Sequence, residues 1–196
     1  MENNKALNKR SVIVTLLIIV IVLLSAAWVV AYITRSTIAK NVITFGSIKM
    51  ELIETTLNEN NQEIEVEDNE ILDITHKPEL SRIVKIKNLG EHDFFARVSL
   101  HLVGTDANNQ EIDATRYVSY NVNTQDWIYK DGWYYYKKIV KQNEITSNLI
   151  TQVNFDVNNI TSNYPNGKFK LDIKAEAVQA ENNAENVLDV LGWPSK

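Results

Sequence analysis

The 196-residue chain contains no cysteine, which excludes disulfide bonds, thiolate metal sites and cysteine-based catalysis. It has only three prolines and six glycines, too few for a collagen-like or proline-rich protein. Positive charge is also scarce, because 20 Lys and Arg stand against 25 Asp and Glu and give a formal net charge of -5. Since nucleic-acid-binding domains usually carry a basic face, this balance argues against a nucleic-acid partner. Hydrophobic residues make up 44% of the chain, enough for one packed core.

The longest apolar run lies near the N-terminus, over residues 12–33, behind a polar stretch that carries Lys5, Lys9 and Arg10. A positive flank followed by an apolar run is the layout of a secretory signal. The run is also about the ~20 residues that cross a bilayer as a helix. Its length therefore leaves two interpretations open, a cleaved signal peptide and a retained membrane anchor.

The end of this run predicts where a signal peptidase would cut. Val29, Val30 and Ala31 place small or modest side chains at the positions that the peptidase reads, so cleavage is expected between Ala31 and Tyr32. Removal of residues 1–31 takes away three basic residues and one acid, which leaves 17 Lys and Arg against 24 Asp and Glu and a net charge of -7. In both interpretations residues 32–196 form a domain outside the membrane, either secreted or held at the cell surface.

After Asn41 the hydrophobic residues recur with a period of two, which predicts β-strands rather than helices. Lys130, Asp131 and Gly132 predict a tight hairpin turn, because an Asp-Gly pair readily adopts positive φ. Helical spacing is confined to residues 184–191. The pattern predicts one all-β domain, an antiparallel β-sandwich or jelly roll. The expected strands cover residues 48–53, 71–74, 81–87, 94–103, 117–122, 127–129, 133–139, 149–157 and 169–180.

Three stretches of the chain, taken in order, carry a resemblance to a known family. They are Ala31-Tyr32-Ile33-Thr34 followed by residues 41–52; Lys87-Asn88-Leu89-Gly90 followed by Ala96-Arg97-Val98; and Asp131-Gly132-Trp133-Tyr134-Tyr135-Tyr136 together with residues 175–180. The set resembles the TasA/camelysin-like family of secreted Gram-positive proteins. The segment that leaves the signal peptide is the most specific of the three, because a plain signal peptide sets no requirement on the residues after its cleavage site.

The resemblance implies a jelly-roll domain in the extracellular matrix and a signal peptide removed by a SipW-type signal peptidase. It also implies a biofilm matrix subunit or accessory, whose copies assemble with themselves or with related subunits by donating an N-terminal strand to a neighbour. Here the candidate donor strand lies within residues 32–46 and includes Asn41, Val42, Ile43 and Phe45. The alternative is that this segment pairs within its own sheet or serves as a stalk.

Camelysin-type members are described as metallopeptidases, so an enzymatic alternative needs testing on these residues. The common zinc peptidase needs two histidines one helical turn apart with a glutamate between them, and no His-Glu-x-x-His occurs here. The histidines are His76, His92 and His101, and they are scattered. Residues 63–70 are acidic but lack the spacing of an EF-hand loop, which favours a solvated loop over a calcium site. The sequence therefore predicts no catalytic residue, no metal ligand and no cofactor.

The aromatic residues cluster around the predicted hairpin. Strand alternation sends Trp133 and Tyr135 to one face and Tyr134 and Tyr136 to the other. Trp133 and Tyr135 are therefore a candidate aromatic surface for stacking sugars, which would make the protein a membrane-anchored carbohydrate-binding module. The alternative is that these rings stabilise the sheet through cross-strand packing.

Overall fold

The computed structural model describes residues 42–45, 48–66 and 70–194, and these belong to one compact unit that begins at Val42. The predicted signal or anchor, its cleavage residues Ala31 and Tyr32, and the candidate donor residue Asn41 lie outside the described residues. Within the described part, no helix is both long enough and apolar enough to span a membrane.

The described residues fold as an all-β sandwich, as the alternating pattern predicts. A short helix and one turn of 3₁₀ helix, Thr115–Tyr117, interrupt the strands. In chain order the elements are β1 (Val42–Phe45), β2 (Ile48–Leu57), β3 (Glu63–Glu65), β4 (Glu79–Ser81), β5 (Ile83–Asn88), β6 (Phe94–Thr105), β7 (Glu111–Asp113), β8 (Val118–Val122), β9 (Trp127–Lys130), β10 (Trp133–Tyr136), β11 (Ile150–Phe155), α1 (Val157–Asn163) and β12 (Lys168–Gln179).

The first sheet is built around β2 and β5, which pair antiparallel from Met50 opposite Asn88 to Thr55 opposite Ile83. On its other edge β2 pairs with β1 and, farther along, with β3. On the edge of β5 opposite β2, backbone bonds join β5 to the segment that leads into β11, for example from Leu149 N–H to Val84 O at 2.8 Å. β4 pairs with β11 itself. β8 pairs with the other edge of β11, so that β4, β11 and β8 form a three-stranded sheet that continues the first sheet.

The second sheet has the order β12-β6-β10-β9, with β7 also paired to β6. β6 and β12 are both 12 residues long and pair over their whole length, from Phe94 opposite Gln179 to Thr105 opposite Lys168. The hairpin between β9 and β10 turns through Asp131 at φ 51° and Gly132 at φ 86°. The predicted turn is therefore confirmed, because both residues adopt the positive φ that a two-residue loop requires.

The main core lies between the two sheets and takes alternate residues from the strands that face it. Each of its large apolar side chains contributes about 1.5–3 kcal/mol by leaving water. From the first sheet it contains Met50, Leu52, Val84, Ile86, Ile150, Val153 and Phe155, and from the second Phe94, Ala96, Val98, Leu100, Leu102, Tyr136, Phe169, Ala175 and Ala177.

The outer face of the second sheet is covered as well, by residues 183–193, which we call the C-terminal strap. Val187 and Val190 of the strap are buried against Phe95 and Tyr135 of the sheet. The helix predicted over residues 184–191 is wrong, because the strap consists of turns and bends. Asparagine side chains bond the local backbone there and compete with helix formation.

The helix α1, by contrast, has no counterpart among the predicted elements. Asp156 caps its first turn and accepts a hydrogen bond from the Asn159 N–H at 3.2 Å. Its seven residues bury one side chain, Ile160, so the sequence offers almost no helical periodicity to detect.

Candidate functional site

The candidate donor strand is found at the edge of the first sheet. β1 pairs antiparallel with β2 through Val42 opposite Glu51, Ile43 opposite Met50, Thr44 opposite Lys49 and Phe45 opposite Ile48. Residues 46 and 47 alone separate the two strands along the chain. In this fold, Val42, Ile43 and Phe45 therefore pair within their own chain.

β1 and β3 lie along the same edge of β2, which is the edge opposite β5. β1 pairs with residues 48–51 and β3 with residues 55–57. A strand edge presents N–H and C=O groups that another extended segment can satisfy. β2 therefore receives short antiparallel strands along one edge and the longer β5 along the other.

β1 pairs with one edge of β2 and takes no part in the pairing on the other edge. β5 pairs with β2 on the opposite edge and overlaps the β1 register at Met50 and Glu51. Because the two strands lie on different edges of β2, removal of β1 leaves the β2–β5 ladder in place.

The aromatic hairpin contributes to both faces of the second sheet. Tyr136 belongs to the main core and packs on Trp127, with ring centroids 5.0 Å apart. Tyr135 lies on the outer face and is only 7% exposed. Trp133 is half-buried on the same side. The candidate aromatic surface of Trp133 and Tyr135 is therefore covered by the strap.

Arg97 organises this covered face. Its guanidinium carbon lies 4.2 Å from the ring centroid of Trp133 and 4.7 Å from that of Trp193 in the strap. Its Nε donates to Oε2 of Glu176 at 2.8 Å, and its Nη1 donates to the Tyr135 hydroxyl at 3.2 Å. Arg97 is 6% exposed and Glu176 is 8% exposed. A charge so far removed from water needs this combination of an ion pair, hydrogen bonds and aromatic faces.

The exposed aromatic residue of the hairpin is Tyr129, which is 61% exposed and packs against Tyr134 with ring centroids 4.9 Å apart and ring planes tilted by 51°. Burial raises the pKa of the Tyr134 hydroxyl and also that of Tyr120. The Tyr120 hydroxyl has no hydrogen-bond partner in the described part of the chain. Both phenols are therefore neutral at physiological pH.

The three histidines do not come together. His76 is exposed on a loop, where its Nδ1 lies 2.9 Å from Oδ1 of Asp73 and holds the pKa of that carboxyl below its usual range. His92 lies in the turn before β6, and His101 lies on β6 itself. In the part of the chain that the structure describes, no three His, Asp or Glu side chains are grouped so that they could hold a metal ion.

The acidic stretch is partly neutralised by basic neighbours. Oε2 of Glu63 on β3 lies 2.8 Å from the Lys85 ammonium on β5, which holds the pKa of Glu63 below its usual range. Oε2 of Glu70 lies 2.6 Å from Nη2 of the buried Arg82. These carboxylates therefore bind the protein's own cations.

The buried pair of Arg97 and Glu176, with Trp193 above it, was not predicted as a site, although both residues lie in the stretches that carry the family resemblance. Arg97 and Glu176 occupy outward-facing positions on predicted strands, where charged residues are normally exposed. Their register, with Glu176 directly opposite Arg97, is a long-range property that no local pattern encodes. Trp193, a large aromatic residue beyond the last predicted strand, is the feature of the sequence that could have indicated a buried contact with this pair.

Comparisons with protein-family models, with curated proteins and with solved structures gave no match to this chain.

Proposed function

We propose that residues 32–196 act outside the cell as a non-enzymatic structural subunit of an extracellular matrix or surface fibre. Copies assemble when residues 32–46, including β1, pair with the sheet edge of a neighbouring copy. The observation that carries this proposal is the position of β1, a four-residue edge strand joined to β2 by two residues.

Exchange of β1 between copies conserves its backbone pairing. In the neighbouring copy the donated strand pairs with the same residues of β2 that it leaves in its own chain. The exchange is therefore a low-cost route to assembly. Addition of a strand to an open sheet edge is a general mode of recognition, in which backbone hydrogen bonds supply affinity.

Processing and charge set the conditions for assembly. The expected cut between Ala31 and Tyr32 by a SipW-type peptidase would release the segment from the membrane, and a retained anchor would instead hold the domain at the surface. The processed chain carries a net charge of -7, which makes copies repel one another. Mild acid reduces this charge and favours filaments.

A disulfide staple tests the proposal directly, because the chain has no cysteine of its own. Thr44 lies opposite Lys49, and in a hairpin with a two-residue loop this second pair is a non-hydrogen-bonded one, with Cα atoms about 4.5 Å apart. That separation lies within the range that a disulfide spans. In the double variant Thr44→Cys, Lys49→Cys, oxidation before assembly locks β1 to its own β2.

Negative-stain electron microscopy of the chain beginning at Tyr32, at neutral and mildly acidic pH, is the readout. We expect filaments from the reduced double variant and none after prior oxidation. Oxidation of preformed filaments should instead link neighbours covalently and give a ladder on a non-reducing gel. The single variants Thr44→Cys and Lys49→Cys control for the substitutions. Equal filament formation by the locked variant would contradict the strand-exchange mechanism.

A further inference from the structure

The C-terminal strap is a loop whose two ends are held together by one side chain. Oδ1 of Asn183 accepts the Leu191 N–H at 3.1 Å, and its Nδ2 donates to the Leu191 carbonyl at 3.1 Å. A surface loop with closed ends and its own packed side chains behaves as a compact unit. The side chain of Asn183 therefore holds residues 183 and 191 of the strap together.

The surface below the strap combines buried apolar side chains with the buried ion pair of Arg97 and Glu176. Phe95 is 1% exposed and Tyr135 is 7% exposed, and Val187 and Val190 of the strap cover them. Trp193 completes the cover, with its ring edge-on to Tyr135 at 5.5 Å between centroids and 4.7 Å from the guanidinium carbon of Arg97. The outer face of the second sheet thus has a slot shaped for two valines and one indole ring.

The strap is attached to this slot by side chains alone. In the described part of the chain, the backbone hydrogen bonds of the strap end within residues 180–191, as in Asn183 N–H to Ala180 O at 3.2 Å and Asp189 N–H to Asn186 O at 3.0 Å. None of them joins the strap to β6 or β10. The strap can therefore leave the sheet without breaking a single ladder hydrogen bond.

The strap follows β12 through Asn182, which has φ 60°, in the left-handed region that asparagine tolerates better than most residues. Two hydrogen bonds span this residue, from Asn183 N–H to Ala180 O at 3.2 Å and from Asn183 Nδ2 to Gln179 O at 3.3 Å. The strap can swing away from the sheet at Asn182 once these two local bonds open.

We propose that the strap lifts as a unit and that the exposed slot binds the strap of a second copy of this chain. The slot already fits this sequence, because the chain's own Val187, Val190 and Trp193 fill it. Exchange of an identical element conserves every contact, so it costs little once two copies meet. This interface lies on the second sheet and is separate from the β1 edge of the first sheet.

The opening step is tested by thiol labelling in the full-length chain, which has no background cysteine. Val190→Cys places a thiol under the strap, and Val153→Cys places one in the main core, where the residue is fully buried. Local opening should label the strap thiol about tenfold faster, or more, than the core thiol under native conditions. Equal rates would mean that the strap leaves only on global unfolding, which overturns the proposal.

The partner is tested with a synthetic peptide of residues 183–194 carrying a fluorophore. It should bind the full-length Trp193→Ala variant, whose own strap lacks its anchor, about tenfold or more tightly than the unsubstituted chain. A matched peptide with Trp193→Ala should not bind. Equal binding by the two peptides, or no binding by either, overturns the assignment.

Exchange between whole copies is measured by analytical ultracentrifugation of the oxidised Thr44→Cys, Lys49→Cys variant, in which β1 cannot be donated. We expect this variant to form dimers that Trp193→Ala abolishes. Dimers that survive Trp193→Ala, or a locked variant that stays monomeric, would exclude strap exchange. Neither outcome bears on the exchange of β1, which the filament experiment tests separately.

Discussion

The guanidinium carbon of Arg97 lies 4.7 Å from the ring centroid of Trp193, although one residue belongs to β6 and the other to the C-terminal strap. Trp133 flanks the same guanidinium from β10 at 4.2 Å. A cation between two indole rings joins the strap to two strands without any backbone pairing. This contact makes Trp193 the residue whose loss should most affect the cover of the second sheet.

We expect Trp193→Ala to lower the free energy of unfolding by about 1–2 kcal/mol, because it removes a cation–π contact with a desolvated arginine. Leu191→Ala, at a residue 78% exposed in the same strap, is the matched control and should change stability by less than about 0.5 kcal/mol. Urea unfolding followed by circular dichroism measures both. Equal effects of the two substitutions would show that the indole contributes nothing beyond its neighbours.

Glu176→Gln should cost more, about 3–5 kcal/mol, because it leaves the buried charge of Arg97 without its counter-ion. The double variant Arg97→Met, Glu176→Leu removes both charges and replaces them with apolar groups of similar size. We expect it to recover most of the lost stability. Denaturant titrations of the single and double variants decide this, and a double variant weaker than the single one contradicts the account.

Gly104→Ala tests the close approach of β6 to β12. A Cβ at Gly104 would collide with the backbone carbonyl of Lys168, so the paired strands must separate locally. We expect a loss of about 3 kcal/mol, at the upper end of the range for overpacking. Gly132→Asn is the control, because that position is open and requires only positive φ, which asparagine tolerates. Thermal unfolding of both variants separates the steric effect from the conformational one.

Acid should destabilise the fold through carboxylates such as Asp126. The Lys138 ammonium, 2.7 Å from Oδ1 of Asp126, holds the pKa of that carboxyl below its usual range, and hydrogen bonding from Ser147 adds to the effect. Because the folded pKa lies below the unfolded value of about 4, this stabilisation is complete above pH 4 or so and is lost as the pH falls through the folded pKa.

The measurement is the urea midpoint between neutral pH and about pH 2. We expect the urea concentration at the midpoint to decrease once the pH is below about 4, and to decrease less steeply in Asp126→Asn than in the unsubstituted chain. Asp113, whose pKa is lowered chiefly by a hydrogen bond with Thr115, follows the same direction. A midpoint that rises in acid would show that these pairs do not stabilise the fold.

Local patterns predicted the longer strands and the hairpin, because alternation and the Asp131-Gly132 turn are properties of neighbouring residues. They did not predict the three-residue strands β3, β4 and β7, and the strand expected over residues 71–74 is wrong, since Leu72 forms only an isolated bridge with Phe169. They did not predict which strands pair. Glu176 meets Arg97 only through the register of β6 with β12, and Trp193 meets Arg97 only because the strap folds back. The strap itself was predicted as a helix, since side-chain capture of the backbone by Asn183 competes with a weak helical period. The family resemblance indicated an extended segment over residues 41–52, whereas the pairing of β1 with β2 within one chain required the structure.

The ladder between β6 and β12 also governs when the protein can fold. The central strand of the second sheet gains its full-length partner only when the last part of the chain is available, and contacts so distant in sequence form slowly. A chain that is synthesised from its N-terminus therefore stays incompletely folded until residues 168–179 are available. During that interval the inner face of β6 is open to chaperones, proteases and other copies.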